Sequence, residues 1–159
     1  MKTSRSTPPA HASAHSQLQH AGVRVTAARI GVLSVLLSEQ RALSHLEVQD
    51  ALPALDRVTL YRALDCLTAA GLAHKISGDD RVFRYSTGSE PASGQPALQH
   101  QHGHFKCTRC ERVFCLDHAQ QPASLREQLQ ATLQSTLGRG FQSHDIALTI
   151  KGWCADCSE

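Results

Sequence analysis

Two cysteine pairs, Cys107-Thr108-Arg109-Cys110 and Cys154-Ala155-Asp156-Cys157, stand 43 residues apart in the chain. A two-residue gap lets both thiolates of a knuckle turn toward one ion, and two such knuckles complete a tetrahedral all-sulfur shell, the geometry of structural Zn2+. One C-x-x-C alone is equally the pattern of a redox dithiol, but paired sets are rarely redox centres. An ion held this way ties the end of the sequence to a segment near residue 107. A second constellation is less specific. His102-Gly103-His104 places two imidazoles on one side of a strand, where they can converge on another metal. His74 and Cys115 are the natural remote ligands. Solvated imidazoles and a Cys115 buried by the alternation of RVFCL are the competing readings. A site fed from both parts of the chain would couple metal occupancy to their relative orientation.

These residues sit in a chain of 159 with 16 Lys and Arg, 14 Asp and Glu, 10 His, 6 Cys and only 4% aromatics. No apolar run approaches the roughly 18 residues of a membrane helix, and residues 1–19 lack the apolar core of a secretory signal. A cytoplasmic address follows, where thiols stay reduced and six cysteines read as metal ligands or core residues rather than disulfides. Up to residue 89 there are ten basic against seven acidic residues, or +3; beyond it six against seven, or −1. Ten of the 16 His and Cys residues fall in that second part, so two domains with different chemistries are expected. Cys66 falls in the apolar phase of a helix and reads as core. His11, His15, His20 and His45 read as solvated. His100 and His118 are possible accessory ligands, and His144 is as compatible with a core as with a ligand role.

The elements that must position these residues are legible from periodicity. Residues 1–17, rich in Ser, Thr, Pro and Ala, read as a disordered tail. Thr26 is an N-cap for a helix carrying Ile30, Leu33, Leu36 and Leu37. Ser44-His45-Leu46-Glu47 has the form of a capping box, and Pro53 stops the short helix that follows. Residues 58–70 put Leu60, Leu64 and Leu67 on one face of a third helix that ends at Gly71. LAHKI and VFRY around Gly78-Asp79-Asp80 form a hairpin. Three helices and a hairpin make a winged helix over residues 18–85, whose third helix enters the major groove of DNA. Residues 86–99, with Pro91, Pro96, Gly88 and Gly94, read as a hinge. Residues 100–159 form a second domain with strands at HFKC and RVFCL, a helix carrying Leu125, Leu129, Leu133 and Leu137, and a strand at Ile146, Leu148 and Ile150. The fold class is α+β.

Tyr61 and Arg62 are placed in the first turn of the third helix, where side chains reach base edges, and Arg pairs bidentately with guanine. Arg24, Arg29, Arg57 and Arg81 are candidates for phosphates, which position without reading sequence, and Thr59 joins them as a candidate DNA contact.

Taken together, RVTLYRALDCLTAAGLAHKI (57–76) resembles the recognition helix and first wing strand of the ferric uptake regulator superfamily, and GVRVTAARIGVL (22–33) its N-terminal helix. HGHFKCTRCERVF (102–114) and GFQSHDIALTIKGWCADC (140–157) are similar to its dimerisation domain with the four-cysteine zinc. The resemblance spans roughly residues 20–159 and is strongest for the zinc-responsive branch. It implies a homodimeric metal-sensing repressor of palindromic operator DNA that controls zinc-uptake genes and takes no small organic substrate. Each chain would hold one structural Zn2+ on Cys107, Cys110, Cys154 and Cys157, and one regulatory Zn2+ on His74, His102, His104 and Cys115. Tyr61 and Arg62 fall on the helix residues that meet DNA. Cys115 stands where the family usually presents a Glu, and its softer thiolate favours Zn2+ over Fe2+ or Mn2+.

Departures accompany the match. The iron sensors' His ahead of the second helix is replaced by Arg41-Ala42-Leu43, and their wing Glu by Arg84; Ser86 stands where many zinc sensors have Cys. A third site in parts of the family uses an imidazole at the position of His144, but its neighbours here are Gln101 and Gly103. An iron, manganese, nickel or peroxide signal is the alternative within the family. A zinc hydrolase or deaminase would need H-x-E or H-E-x-x-H among the metal-binding residues, and the H-x-E at His45-Leu46-Glu47 has no paired cysteines after it. A histidine-rich zinc buffer does not explain the winged-helix pattern.

Overall fold

The computed structural model describes residues 8–87, 103–116, 124–142 and 148–158. The expectation of a structureless tail fails from residue 8 onward, where Pro8–His20 form helix α1. Prolines are tolerated in a first helical turn, Ala is the best helix former, and Ala14 and Leu18, four residues apart, are both fully buried. Gly22, at φ +66°, closes the helix. Its N–H donates to the Gln19 carbonyl and that of Val23 to the Leu18 carbonyl, a Schellman pair that satisfies the last carbonyls. The tail composition concealed this helix because only Ala14 and Leu18 are buried among its described side chains.

Helix α2 (Ala27–Ser38) starts where expected, with Thr26 accepting from the Arg29 N–H. Strand β1 (Leu43–Ser44) runs into α3 (His45–Ala51), and the Ser44/Glu47 capping box is complete in both directions. Helix α4 (Arg57–Ala69) begins one residue earlier than the apolar pattern suggested, because the Asp56 carboxylate caps it by accepting from the Thr59 N–H and hydroxyl. Strands β2 (His74–Ser77) and β3 (Phe83–Ser86) form the hairpin. The sheet order is β1-β3-β2, antiparallel throughout. Ser86, placed in the hinge by sequence, is instead the last residue of β3 and pairs with His74; residues 88–99 lie outside the described residues. Leu18, Val32, Leu33, Leu36, Val48, Leu60, Leu64 and Leu67 form one core beneath α1, α2, α3 and α4. The winged helix thus includes α1, so the unit begins by residue 8 rather than 18.

The second unit is a three-stranded sheet in the order β5-β4-β6, with β4 (His104–Cys107) antiparallel to β5 (Val113–Cys115) and parallel to β6 (Thr149–Gly152). Helix α5 (Ser124–Leu137) precedes β6, and the short α6 (Ala155–Ser158) follows it. The two units touch along a continuous seam. The Ala42 N–H donates to the Val113 carbonyl over 2.8 Å, and Ala42, Ile76 and Val113 bury one another.

Candidate metal centres and nucleic-acid interface

The four-cysteine cluster is assembled by strand register. Parallel pairing sets Cys107 of β4 opposite Gly152 of β6, so the knuckle after β4 and the turn after β6 lie side by side, stitched by the Thr108 N–H to the Gly152 carbonyl. The four sulfurs lie within 4.8 Å of one another, and Cys110 Sγ and Cys154 Sγ are 3.7 Å apart. Zn–S bonds of about 2.3 Å in a tetrahedron require sulfur edges of about 3.8 Å, so the cluster fits a structural zinc ion. Backbone N–H groups favour the thiolate of one of these cysteines. Those of Cys110, Cys154 and Arg109 converge on Cys107 and hold its thiol down at about 6, while hydrogen bonding to Cys154 and burial push Cys157 up to about 12. Burial likewise raises Cys154. Four thiolates and one dication carry a net charge of −2. Arg112, paired with Asp156 at 2.5 Å, and Arg109, stacked 4.0 Å from the Trp153 ring centre, flank that charge.

The second cluster joins both units. Antiparallel pairing places Cys115 directly opposite His104, and β2 brings His74 against them. Donor atoms of His74, His104 and Cys115 lie within 4.8 Å of one another, and His74 Nε2 is 3.2 Å from Cys115 Sγ. Adjacent S and N donors on tetrahedral zinc would be about 3.5 Å apart, so this nitrogen–sulfur pair already has the spacing of a shared ion. His74 is buried, and Nε2 of His104 is closed off from solvent. A Cβ at Gly103 would meet side-chain atoms of Leu116 and Leu148 at 3.2 Å, tighter than ordinary contact, so a larger residue there would make these leucines shift. Three of the four expected regulatory ligands therefore come together. The fourth, His102, lies outside the described residues, as do His100, His118 and His144. Arg84, at the wing position where iron sensors have a Glu, is buried and salt-bridged to Asp80 at 2.7 Å, which occupies its guanidinium.

The outer face of α4 presents Arg57, Val58, Tyr61 and Arg62 to solvent. Because α4 starts at Arg57, Tyr61 and Arg62 are its fifth and sixth residues, at the start of the second turn rather than in the first, a shift of one residue that follows from the Asp56 cap. Thr59 lies half-buried with its hydroxyl donated to Asp56, so it contributes to the cap. Tyr61 is braced by His45, whose ring centre is 5.2 Å away. Sequence reasoning read His45 as solvated; its position directly after the Ser44 cap, on the helix crossing α4, was the available signal. Arg24 is exposed, and the Arg29 guanidinium donates to the Arg24 carbonyl at 2.6 Å, which fixes the loop ahead of α2. Arg81 is exposed at the wing with φ +59°.

This combination of winged helix, four-cysteine sheet and inter-unit His/Cys cluster has known counterparts. Residues 20–150 match the sequence model of the Ferric uptake regulator family. The chain belongs to the ferric uptake regulator family. Among curated relatives, this family member is 31% identical to the ferric uptake regulation protein of Legionella pneumophila, over 89% of this chain and 96% of that protein. It is 28% identical to the zinc uptake regulation protein of Escherichia coli K12, over 86% and 74% respectively. A solved zinc uptake regulator complexed with zinc and DNA superimposes with a TM-score of 0.62 at 26% identity, covering 93% of this chain and 92% of that one. As a family member the chain is a metal-responsive transcriptional regulator and not an enzyme. No helix among the described residues is long and apolar enough to cross a membrane.

Proposed function

We propose that this regulator is a zinc-responsive repressor that binds palindromic operator DNA as a homodimer and controls zinc-uptake genes. The observation that carries the reading is the donor set His74, His104 and Cys115, drawn from both units and including a thiolate. A thiolate with two imidazoles suits Zn2+, whereas Fe2+ and Mn2+ sites favour carboxylate oxygen. His102 completes the proposed set at four. A cation held there supplies a shared positive charge that binds wing and second sheet together. His74 reports from the wing, while His104 and Cys115 are fixed by their pairing in β4 and β5. With the seam held, α4 keeps a set distance from its counterpart in the dimer, as two successive major grooves demand. Coupling of this kind is typically about 1–3 kcal/mol, or roughly 5- to 150-fold in DNA affinity.

The dimer reading is supported by apolar side chains concentrated in the second unit: Leu129, Leu137, Phe141, Ile150 and Trp153 are exposed, a burden for a monomer that a second copy relieves. DNA contacts are assigned to Tyr61 and Arg62 for base edges and to Arg24, Arg29, Arg57 and Arg81 for phosphates, with Thr59 in support through the cap of α4.

The test is a DNA-binding titration with Zn2+, Fe2+ or Mn2+ added to protein that retains only its structural zinc. Zn2+ is expected to tighten binding at least 5-fold and at lower free concentration than the others. Unchanged affinity with Zn2+, or a full zinc response in the His74→Ala variant, refutes the assignment. Iron sensing, suggested by the name of the Legionella relative, is supported instead if Fe2+ is the tighter activator.

A further inference from the structure

A second set of contacts crosses the same seam, built from charges that the metal-sensing reading leaves unused. Asp79, at the turn between β2 and β3, accepts from Lys106 of β4 and, at 2.7 Å, from Lys151 of β6. Its neighbour Asp80 is held by Arg84 of β3 at 2.7 Å and lies 3.7 Å from Lys106. Lys106 and Arg84 are largely buried, their side chains 11% and 9% exposed, whereas Asp79 and Lys151 are half exposed, so the bridges made by Lys106 carry more of the clasp than the outer one to Lys151. Lys106 is two residues from His104 on the same strand, and successive odd or even residues share one face. His74 and Asp79 likewise flank the two ends of β2. The seam therefore has a His/Cys cluster at one end of β2, a carboxylate clasp at the other, and the Ala42–Ile76–Val113 contact between.

We propose that Asp79, Lys106 and Lys151 are positioning residues for the regulatory metal cluster: the clasp seats the wing on β4 and β6, and so brings His74 to His104 and Cys115. The inference rests on the three-donor cluster being the regulatory metal site. Its physical content is a population effect. Metal binds tightly only to molecules in which the wing is seated, and apparent affinity scales with the seated fraction. Each ion pair raises that fraction, and burial of Lys106 makes its pairing matter more than an exposed bridge would. Loss of Asp79 does more than delete two bonds, because it takes the carboxylate from Lys151 and leaves Lys106 to share Asp80 with Arg84. The ion pairs of the clasp are made among Asp, Lys and Arg and not to a metal ligand, so the clasp is expected to act on every metal alike.

The experiment is a chelator-competition titration of Zn2+ and, separately, Co2+ on the full chain with its four-cysteine zinc retained. Wild type is compared with Asp79→Asn, with Lys106→Asp, and with the charge swap Asp79→Lys plus Lys106→Asp plus Lys151→Asp. Asp79→Asn is expected to weaken both metals by the same factor, about 3- to 10-fold on the scale of two ion pairs. The Co2+ absorption spectrum should stay unchanged because the ligands are unchanged. Raising salt from about 0.05 to 0.5 M should weaken metal binding in wild type and have little effect on Asp79→Asn. The swap should recover affinity that Lys106→Asp alone loses, a rescue that general destabilisation cannot produce. Wild-type affinity and unaltered salt dependence in Asp79→Asn would overturn the clasp, as would failure of the swap in protein whose circular dichroism is native. A His74→Ala variant that binds the regulatory metal normally would overturn the site reading instead, whatever Asp79→Asn does.

Discussion

At the level of single residues, the proposed donor set would decide the signal, and Cys115 is its most informative member. It stands where a carboxylate is usual in the family, opposite His104 and 3.2 Å from His74. Cys115→Ser replaces a soft anionic donor by a weak neutral one. Its Zn2+ affinity is expected to fall by at least about tenfold, since even ligand-supporting residues are worth 10- to 100-fold, while Mn2+ affinity changes little. Competition titrations with both metals check this, and an equal loss for the two would contradict it. On the DNA side, base reading and phosphate contact separate cleanly. Arg62→Ala is expected to cost about 1–3 kcal/mol and relax preference at one base position, whereas Arg24→Ala weakens all sequences alike and lowers the salt slope by about one. Affinities for operator variants across a salt series measure both.

Secondary elements here are held by a few local devices, and each has a distinct cost. Helix α1 is joined to the core by Ala14 and Leu18 alone among its described side chains that are fully buried. Leu18→Ala should destabilise the winged helix by about 2–5 kcal/mol, read by urea unfolding, because no neighbouring chain can fill the space. Ser44→Ala removes half of the α3 capping box and should cost about 1 kcal/mol by the same measurement. That helix carries His45 against Tyr61, so operator affinity should fall in parallel. The composition of residues 8–20 explains why α1 does not show in the sequence: two buried positions among its described side chains leave almost no periodic signal, and its Ser and His residues face water. By contrast Thr26, Ser44 and Gly71 stand at helix boundaries with side chains or backbone freedom that only boundaries use, and α2, α3 and α4 were legible for that reason.

For the molecule as a whole, two metal centres divide the work. In the proposed reading a four-cysteine ion would join β4, β6 and α6, so its removal would act on the fold of the second unit, while an ion on the His/Cys cluster would act on the seam between units. Stripping both metals with a strong chelator should abolish assembly as well as DNA binding. Returning one equivalent of Zn2+ per chain should restore assembly first. Sedimentation and metal content measured together test that order; recovery of DNA binding before assembly would reverse the assignment of the two sites. DNA affinity itself should fall linearly with log salt, by roughly 0.9 per phosphate contacted.

The amino-acid sequence determined the chemistry. Two C-x-x-C pairs supply the thiols of two knuckles whatever the fold around them, since ligand type and spacing within a pair are local properties, and caps and periodicity specify the helices for the same reason. Tertiary structure alone decided which distant residues meet. That β4 runs parallel to β6, with Cys107 opposite Gly152, is what brings the knuckles together, and the docking of the wing is what brings His74 to Cys115 across 41 positions of chain. The clasp of Asp79 with Lys106 and Lys151 had no trace in the sequence, because lone charges at a turn and on strands look solvated until packing places them face to face. Pairings of that kind depend on strand register and on the seating of one unit against another, which arise from the burial of the whole chain rather than from any segment of it.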